Sequence, residues 1–485
     1  MADYYLAIDL GASGGRLILG HVEAGKLLLE EVHRFSNTAQ RKDGSLVWDV
    51  DLIFSEITGG LKKCAAWIKG GHTGSAKNAG SSGGPRPAGA LRSLGIDTWG
   101  VDYALINKKG ELIKPVYAYR DSRTEPFFKT AIPYEELYKI TGIAHQPFNT
   151  IYQVLADRAA GRLDRAEFMF QLPEYFSHRL AGKLTTKEYN EYTMASTTAL
   201  LDAKKKAWSK EIFEKLDLPL RLFKPLREPP YDIGCLSDEL QRELGFNARV
   251  VMIASHDTAS AVATVEEGAL YISSGTWSLL GVTGAPVLND AARIAGYTNE
   301  GAHNGRIRFL KNIMGLWIIQ SVRRELGEVH SFDELEVLAR EAGKSAPAGW
   351  TIDLNLPQFF APSSMIGEIK AEYHRLGKKI PESPGELAYS VYTSLADCYR
   401  TAILDLEKIT GKKYSSISVI GGGSRNSYLN DLTAEYTGKP VHAGPAEATA
   451  AGNILLQMKA AGDPAVKGGF SELTKSSFDI KEFSN

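Results

Sequence analysis

Three stretches rich in apolar residues open the chain. Tyr4–Leu10 is almost wholly apolar, RLILGHVE follows at Arg16–Glu23, and LLLEEVHRF spans Leu27–Phe35. The connections between them, GASGG and AGK, are short and carry glycine. Such turns between apolar runs predict a three-strand antiparallel meander. The period then changes. Ile53, Ile57, Leu61, Cys64 and Ile68 fall at helical spacing, with Asp49 or Asp51 as the cap. LRSLGIDTWG predicts a strand ending near Asp97, and DYALINKKGEL a further strand and turn.

Between these elements, Gly70–Gly89 is rich in glycine, serine and proline and has almost nothing to bury, so it reads as a flexible surface insertion. Residues 120–245 mix helical stretches with polar connections. Val250–Ile253 is again an unbroken apolar run, which predicts a buried strand. The segment GALYISSGTWSLLGVTG, from Gly268, has the layout of YYLAIDLGASGGRLILG: strand, glycine turn with a hydroxyl, strand. Two such hairpins, one in each half, predict a duplicated fold with a cleft between the copies. The two domains are expected at residues 1–247 and 248–485. Later, Leu387, Val391, Leu395, Ala402, Leu406 and Ile409 mark a long helix stopped by Gly411. SISVIGGGSRN is a strand running into three glycines, and GPAEATAAGN begins a loop and helix.

A length of 485 residues suits two or three domains. The charge balance, 56 basic against 57 acidic residues, supplies no field for nucleic acid or an anionic membrane, so neither is expected as a partner. No stretch approaches the ~18 uncharged apolar residues of a membrane span. MADYYLAIDLG reads directly into a strand, without the pattern of a secretory signal, and the expected location is cytoplasmic. Cys64, Cys235 and Cys398 are too scattered for a zinc cluster. They read as reduced thiols, with a Cys64–Cys235 pair as the alternative.

Candidate chemistry gathers at strand ends. In DLGASGGR, glycines let backbone N–H groups approach an anion, Ser13 adds a hydroxyl, Arg16 a cation, and Asp9 a hard carboxylate suited to magnesium through water. No GKS or GKT follows, so this is not a Walker A loop, and a plain hairpin turn is the competing reading. SSGTWSLLG, with Thr276, and VIGGGSRN repeat the theme, and each is also compatible with an ordinary turn. In ASHDTASAV, Asp257 follows a strand end. It is either the carboxylate that accepts a hydroxyl proton in phosphoryl transfer, or the N-cap of a helix starting at Thr258. TWGVD offers a stacking face and backbone groups to a sugar, against the reading of Trp99 as an ordinary core residue. FLKNIMGLWIIQ places Asn312 on an apolar, helix-like stretch, where its amide needs a partner.

Taken together, DLGASGGR, GIDTWGVDY, YRDSR, ASHDTASAV, SSGTWSLLG, NEG with LKNIMGLW, GGGSRN and GPAEATAAGN resemble the FGGY carbohydrate kinases, in one order from about Tyr4 to Asn453. The resemblance implies an α/β fold of two actin-like (ribonuclease-H-like) ATPase domains with a catalytic cleft between them. It implies ATP and Mg2+ as cofactors and a ketose as substrate, L-rhamnulose phosphorylated at its 1-hydroxyl. Kinases of L-fuculose, L-ribulose or L-xylulose are the nearest alternative, followed by a non-kinase actin-like ATPase and a silent sugar-binding regulator. By matching positions, Asp257 is implied as proton acceptor, and Gly100, His256, Asp257, Thr258 and Asn312 as sugar contacts. Ala12, Ser13, Gly14, Gly15, Arg16, Thr276, Gln320 and Gly422 are implied to hold ATP, and Asp9 the magnesium. The chain departs from the family at Gly14, where the pattern commonly has serine, and in the Gly70–Gly89 insertion.

Overall fold

The computed structural model describes residues 2–68, 89–360 and 362–484. The Gly70–Gly89 insertion therefore lies outside the described residues, except for Gly89, which opens a strand. The chain forms two compact units. The first comprises Met1–Glu266, Thr283–Phe309 and Ala448–Ser477, and the second Glu267–Val282, Leu310–Glu447 and Phe478–Asn485.

The predicted meander opens the first unit as β1 (Ala2–Leu10), β2 (Gly14–Glu23) and β3 (Lys26–Ser36), all antiparallel. The sheet is completed by β4 (Gly89–Thr98), β5 (Tyr231–Cys235) and β6 (Arg249–Met252), in the order β5-β6-β4-β1-β2-β3. β4 runs parallel to β1, and β6 parallel to β4. Parallel strands buried on both faces explain why these runs lack polar alternation. Helix Val50–Ile68 packs Ile53, Ile57, Leu61 and Cys64 into the same core as Leu6, Ile8, Leu94 and Ile96. Asp49 is its cap, accepting from Leu52 N–H at 3.0 Å. Helix Ala448–Ala461 also belongs to this unit, although more than 350 residues separate Asn453 from its Gly95 and Asp97 partners.

One expectation changes here. β6 was expected to open the second half, yet it is hydrogen-bonded into the first sheet, so the boundary placed at residues 247 and 248 falls inside that sheet. The apolar run Val250–Met252 is buried because it lies beside β4.

The second unit repeats the phrase that opens the first. β7 (Leu270–Ser274) and β8 (Trp277–Gly284) form an antiparallel hairpin, and β9 (Ile417–Ile420) runs parallel to β7. β10 (Val441–Ala443) and β11 (Lys481–Phe483) extend the sheet. Helix Pro384–Thr410 ends at Gly411, whose φ of 68° is the left-handed stop the sequence signals. The stretch carrying Asn312 is not helical: Ile307–Met314 is a strand, and a helix begins only at Trp317. Gly315 separates the two. A Cβ there would lie 2.6 Å from the Trp277 carbonyl carbon and 2.8 Å from Gly275 O. All three cysteines are free thiols, so the Cys64–Cys235 pair is not formed. Among the described residues, no helix is long and apolar enough to cross a membrane.

Candidate active site

β6 leads directly to the first candidate group. Beyond Met252 the backbone keeps parallel company with β4: Thr98 N–H donates to Ser255 O at 2.9 Å, and Thr98 bridges to His256. The chain then turns into helix Asp257–Val262. His256 is the N-cap by backbone conformation, and Asp257 is the first helical residue, so the reading of Asp257 as the cap is set aside. Ser260 Oγ secures the turn by donating to Ala254 O at 2.7 Å. The half-buried Asp257 carboxylate accepts at Oδ1 from Thr258 N–H at 2.5 Å and from Thr258 Oγ at 3.0 Å. His256 Nε2 stands 3.5 Å from the same oxygen. Gly100 lies against the ring, and a Cβ there would meet His256 Nε2 at 3.4 Å and Thr197 at 3.5 Å.

The loop bearing Gly100 is held in an uncommon conformation. Val101 has φ of 70°, costly for a β-branched residue. Its carbonyl accepts from Thr150 Oγ at 2.7 Å and Gln153 Nε2 at 3.2 Å. Next to it, buried Asp102 accepts from Trp48 Nε1 at 2.7 Å, Trp99 Nε1 at 2.9 Å, Gln153 Nε2 at 3.0 Å and Tyr119 N–H at 3.1 Å. Trp99 is thus a core residue packed on Trp48, with ring centroids 4.4 Å apart, rather than a stacking face. YRDSR is likewise structural in part: Asp121 caps a short turn, and Arg123 pairs with Asp157 at 2.9 Å.

The β1–β2 turn forms the second group. Asp9, Gly11, Ser13, Gly14 and Arg16 line a cavity of about 580 Å³ together with Arg34, Phe35 and Ser36 of β3. Ala12 and the exposed Ser13 form the tip of the turn, and Gly11 N–H closes it by donating to Gly14 O at 2.8 Å. Gly15 is required, since a Cβ would lie 2.2 Å from the Phe35 ring. At Gly14 a Cβ would meet Phe35 O at 3.1 Å, so the side chain this chain lacks points at β3. Arg34, on β3, carries no local signal of a role. It faces Arg16 across the β2–β3 register, which only the pairing reveals.

Carboxylates crowd between these groups. Asp9 pairs with Arg16 at 2.5 Å and sits opposite Asp97 in the β1–β4 register. Burial, then the neighbouring Asp9 charge, hold the Asp97 carboxyl well above the usual carboxylate range. Asp97 Oδ2 accepts from Asn453 Nδ2 at 2.6 Å, and its buried Oδ1 has no hydrogen-bond partner among the described residues. Burial, then Asp9, also raise Asp257, to about 6. If Asp257 must be ionised to work, kcat/KM for the acceptor falls by about tenfold per pH unit as pH drops through about 6. A pH–rate profile with an acid limb near the ordinary carboxylate value of about 4 contradicts this assignment.

Magnesium fits this donor set in one way only. Among the described residues no three His, Cys, Asp or Glu side chains are arranged to hold a metal. The unpartnered Asp97 Oδ1, opposite Asp9 in the β1–β4 register, offers oxygen donors that suit a hard cation.

The second unit carries Thr276, Gln320 and Gly422. Exposed Thr276 occupies the β7–β8 turn, and its carbonyl accepts from Trp317 N–H at 3.2 Å, at the start of the helix that carries Gln320. Of the three glycines, Gly421 and Gly423 pack on Ser274, where Cβ atoms would lie 3.0 and 2.0 Å away, whereas the Gly422 position is open. Asn312, half-buried, lies on the strand before Gly315.

In the first unit a carboxylate beyond a strand end shares its surroundings with a glycine hairpin, the pairing that phosphoryl transfer from a nucleotide calls for. Residues 4–264 match the N-terminal domain, and 270–461 the C-terminal domain, of the FGGY family of carbohydrate kinases. The chain belongs to this family and is a carbohydrate kinase. It is 41% identical over 489 residues to a rhamnulokinase of Halalkalibacterium halodurans, covering 99% of this chain and 98% of the relative. It is 40% identical over 487 residues to a rhamnulokinase of Bacillus subtilis, covering 99% and 95%. In fold it is similar to a gluconate kinase from Lactobacillus acidophilus, with TM-score 0.77 and 18% identity, covering 100% of this chain and 94% of that one. A Plasmodium falciparum glycerol kinase solved with ADP gives TM-score 0.77 and 14% identity over the same shares. The two-domain actin-like fold expected from the motifs is the fold of the chain.

Proposed function

We propose that this chain transfers the γ-phosphoryl group of ATP to the 1-hydroxyl of L-rhamnulose, with Asp257 as the base. The observation that carries the role of Asp257 is its setting: first in its helix, half-buried, its carboxyl pushed up to about 6, with His256 Nε2 3.5 Å away. A base raised towards neutrality accepts a proton from an attacking hydroxyl more effectively than an ordinary carboxylate. The sugar assignment is supported by the relatives named rhamnulokinase, which align over nearly the whole chain.

In this reading Gly100, His256, Thr258 and Asn312 contact the sugar. Gly100 leaves room beside the imidazole. Ala12, Ser13, Gly14, Gly15 and Arg16 hold phosphates from the first unit, and Thr276, Gln320 and Gly422 hold ATP from the second. Gly422 takes this role because its two neighbours are packed on Ser274. Arg16, partly neutralised by Asp9, balances phosphate charge. Asp9 would hold magnesium, and the ion would neutralise charge on the nucleotide phosphates. The sugar hydroxyl loses its proton to the Asp257 carboxylate as its oxygen bonds to the γ-phosphorus, and the bond from that phosphorus to the bridging oxygen breaks to release ADP. The three free thiols agree with a reducing, cytoplasmic location.

The test is ADP release with magnesium–ATP across L-rhamnulose, L-fuculose, L-ribulose, L-xylulose and no sugar. The expected result is the highest kcat/KM for L-rhamnulose. Preference for another ketose replaces the sugar but keeps the base. ADP release that no sugar stimulates overturns the kinase reading of the site.

A further inference from the structure

A buried charged side chain stands beside His256. Arg308, on strand Ile307–Met314, is fully buried. Its Nε donates to Gly301 O at 2.8 Å, and its Nη2 to Glu300 Oε2 at 3.1 Å and to His256 Nδ1 at 2.9 Å. Its Nη1 is buried with no hydrogen-bond partner among the described residues. A guanidinium has no acceptor and stays charged. Nδ1 must therefore present its lone pair, and the ring proton resides on Nε2. That nitrogen faces Asp257 Oδ1 at 3.5 Å and the Gly100 gap.

We propose that Arg308 is a positioning residue that locks His256 as the neutral Nε2–H tautomer, so that the imidazole serves as a fixed hydrogen-bond donor to the acceptor hydroxyl and never as a rival base. This rests on the assignment of His256 to the sugar side. The other groups around the ring fit the lock. Glu300, on strand Tyr297–Gly301, stands 3.4 Å from Nδ1, where it would accept from an Nδ1–H that the Arg308 donor excludes. Asp257, on the ring's own helix, faces Nε2. From helix Tyr192–Ser196, Thr193 Oγ accepts His256 N–H at 3.3 Å, and Glu191 at its cap accepts Ser255 N–H at 3.3 Å, so both hold the backbone rather than the ring. Burial and the Arg308 charge also hold the imidazole well below its usual pKa.

The lock is read by nitrogen-15 NMR of the full chain with labelled histidine, the His256 signals being assigned by their loss in His256→Gln. The expected spectrum has a protonated Nε2, a bare Nδ1 and no titration between about pH 5 and 8. A proton on Nδ1, or a midpoint inside that range, overturns the proposal whatever the enzyme phosphorylates. In kinetics, Arg308→Met should raise KM for the sugar by about tenfold, change kcat less, and add a second ionisation to the acid limb of kcat/KM. Arg308→Lys, still a donor-only cation, should restore the single limb. Equal profiles for Met and Lys overturn the lock, and if the Met variant does not fold, the wild-type spectrum decides. Absence of activity on every ketose, with the expected spectrum intact, removes the proposed function and leaves the lock standing.

Discussion

Asp257→Asn is expected to lower kcat by about 10² to 10⁴, the usual contribution of a positioned base. Fold and nucleotide binding should survive. Asparagine has nearly the same volume, and its Oδ1 can still accept from Thr258 N–H and Oγ, the two bonds that seat the carboxylate. What disappears is the capacity to take a proton. Stability should hold or rise, because Asp257 shares its surroundings with the charge of Asp9, and an amide removes that repulsion. Residual turnover should also lose the acid limb near about 6, since the group responsible is gone. Steady-state ADP release, calorimetric titration with magnesium–ATP and thermal unfolding measure the three parts. A kcat within about tenfold of the parent, on a folded protein that binds ATP, removes Asp257 as the base.

The residues that make this prediction possible were only partly legible in the sequence. The opening meander follows from apolar runs joined by short glycine turns, the helix from Val50 follows from a local period of 3.6, and both are found where the pattern places them. In FLKNIMGLWIIQ the strand carrying Asn312 looks helix-like because Phe309, Leu310, Ile313 and Met314 are apolar on both faces and run on into the apolar start of the next helix. Gly315, tight against the Trp277 backbone, was the local signal of a break. Non-local pairing was beyond reach. Nothing near Val250 says that it lies beside Leu94, and nothing near Arg34 says that it faces Arg16. The same limit hid Arg308, an ordinary charged residue until the fold sets it 2.9 Å from His256. Local chemistry thus picked out residues at turns and strand ends, while the residues that hold them in place come from elements distant in sequence.

Gly452→Ala makes that dependence measurable. Gly452 lies in helix Ala448–Ala461, where a Cβ would stand 1.8 Å from Ser260 O and 2.6 Å from Ser260 C. The obstructing atoms are backbone, so no rotamer change relieves the clash. One of the two helices must move, and the helix bearing Ser260 begins at Asp257. The partner is the more firmly tied: Asn453 Nδ2 donates to Gly95 O and to Asp97, and Gln457 Nε2 donates to Leu6 O at 2.9 Å. Displacement therefore falls on the six-residue helix Asp257–Val262. Overpacking of this kind costs about 1–3 kcal/mol. A 1 Å misplacement of a reacting group costs about 10² in rate. The variant should unfold at a lower temperature, and its kcat, measured well below that temperature, should fall by about 10². Gly59→Ala is the matched control: it lies within helix Val50–Ile68 with nothing inside 4 Å of the added methyl, and should keep full turnover at equal or higher stability. If Gly452→Ala matches the parent in both turnover and thermal midpoint, the close approach of these helices does not position Asp257.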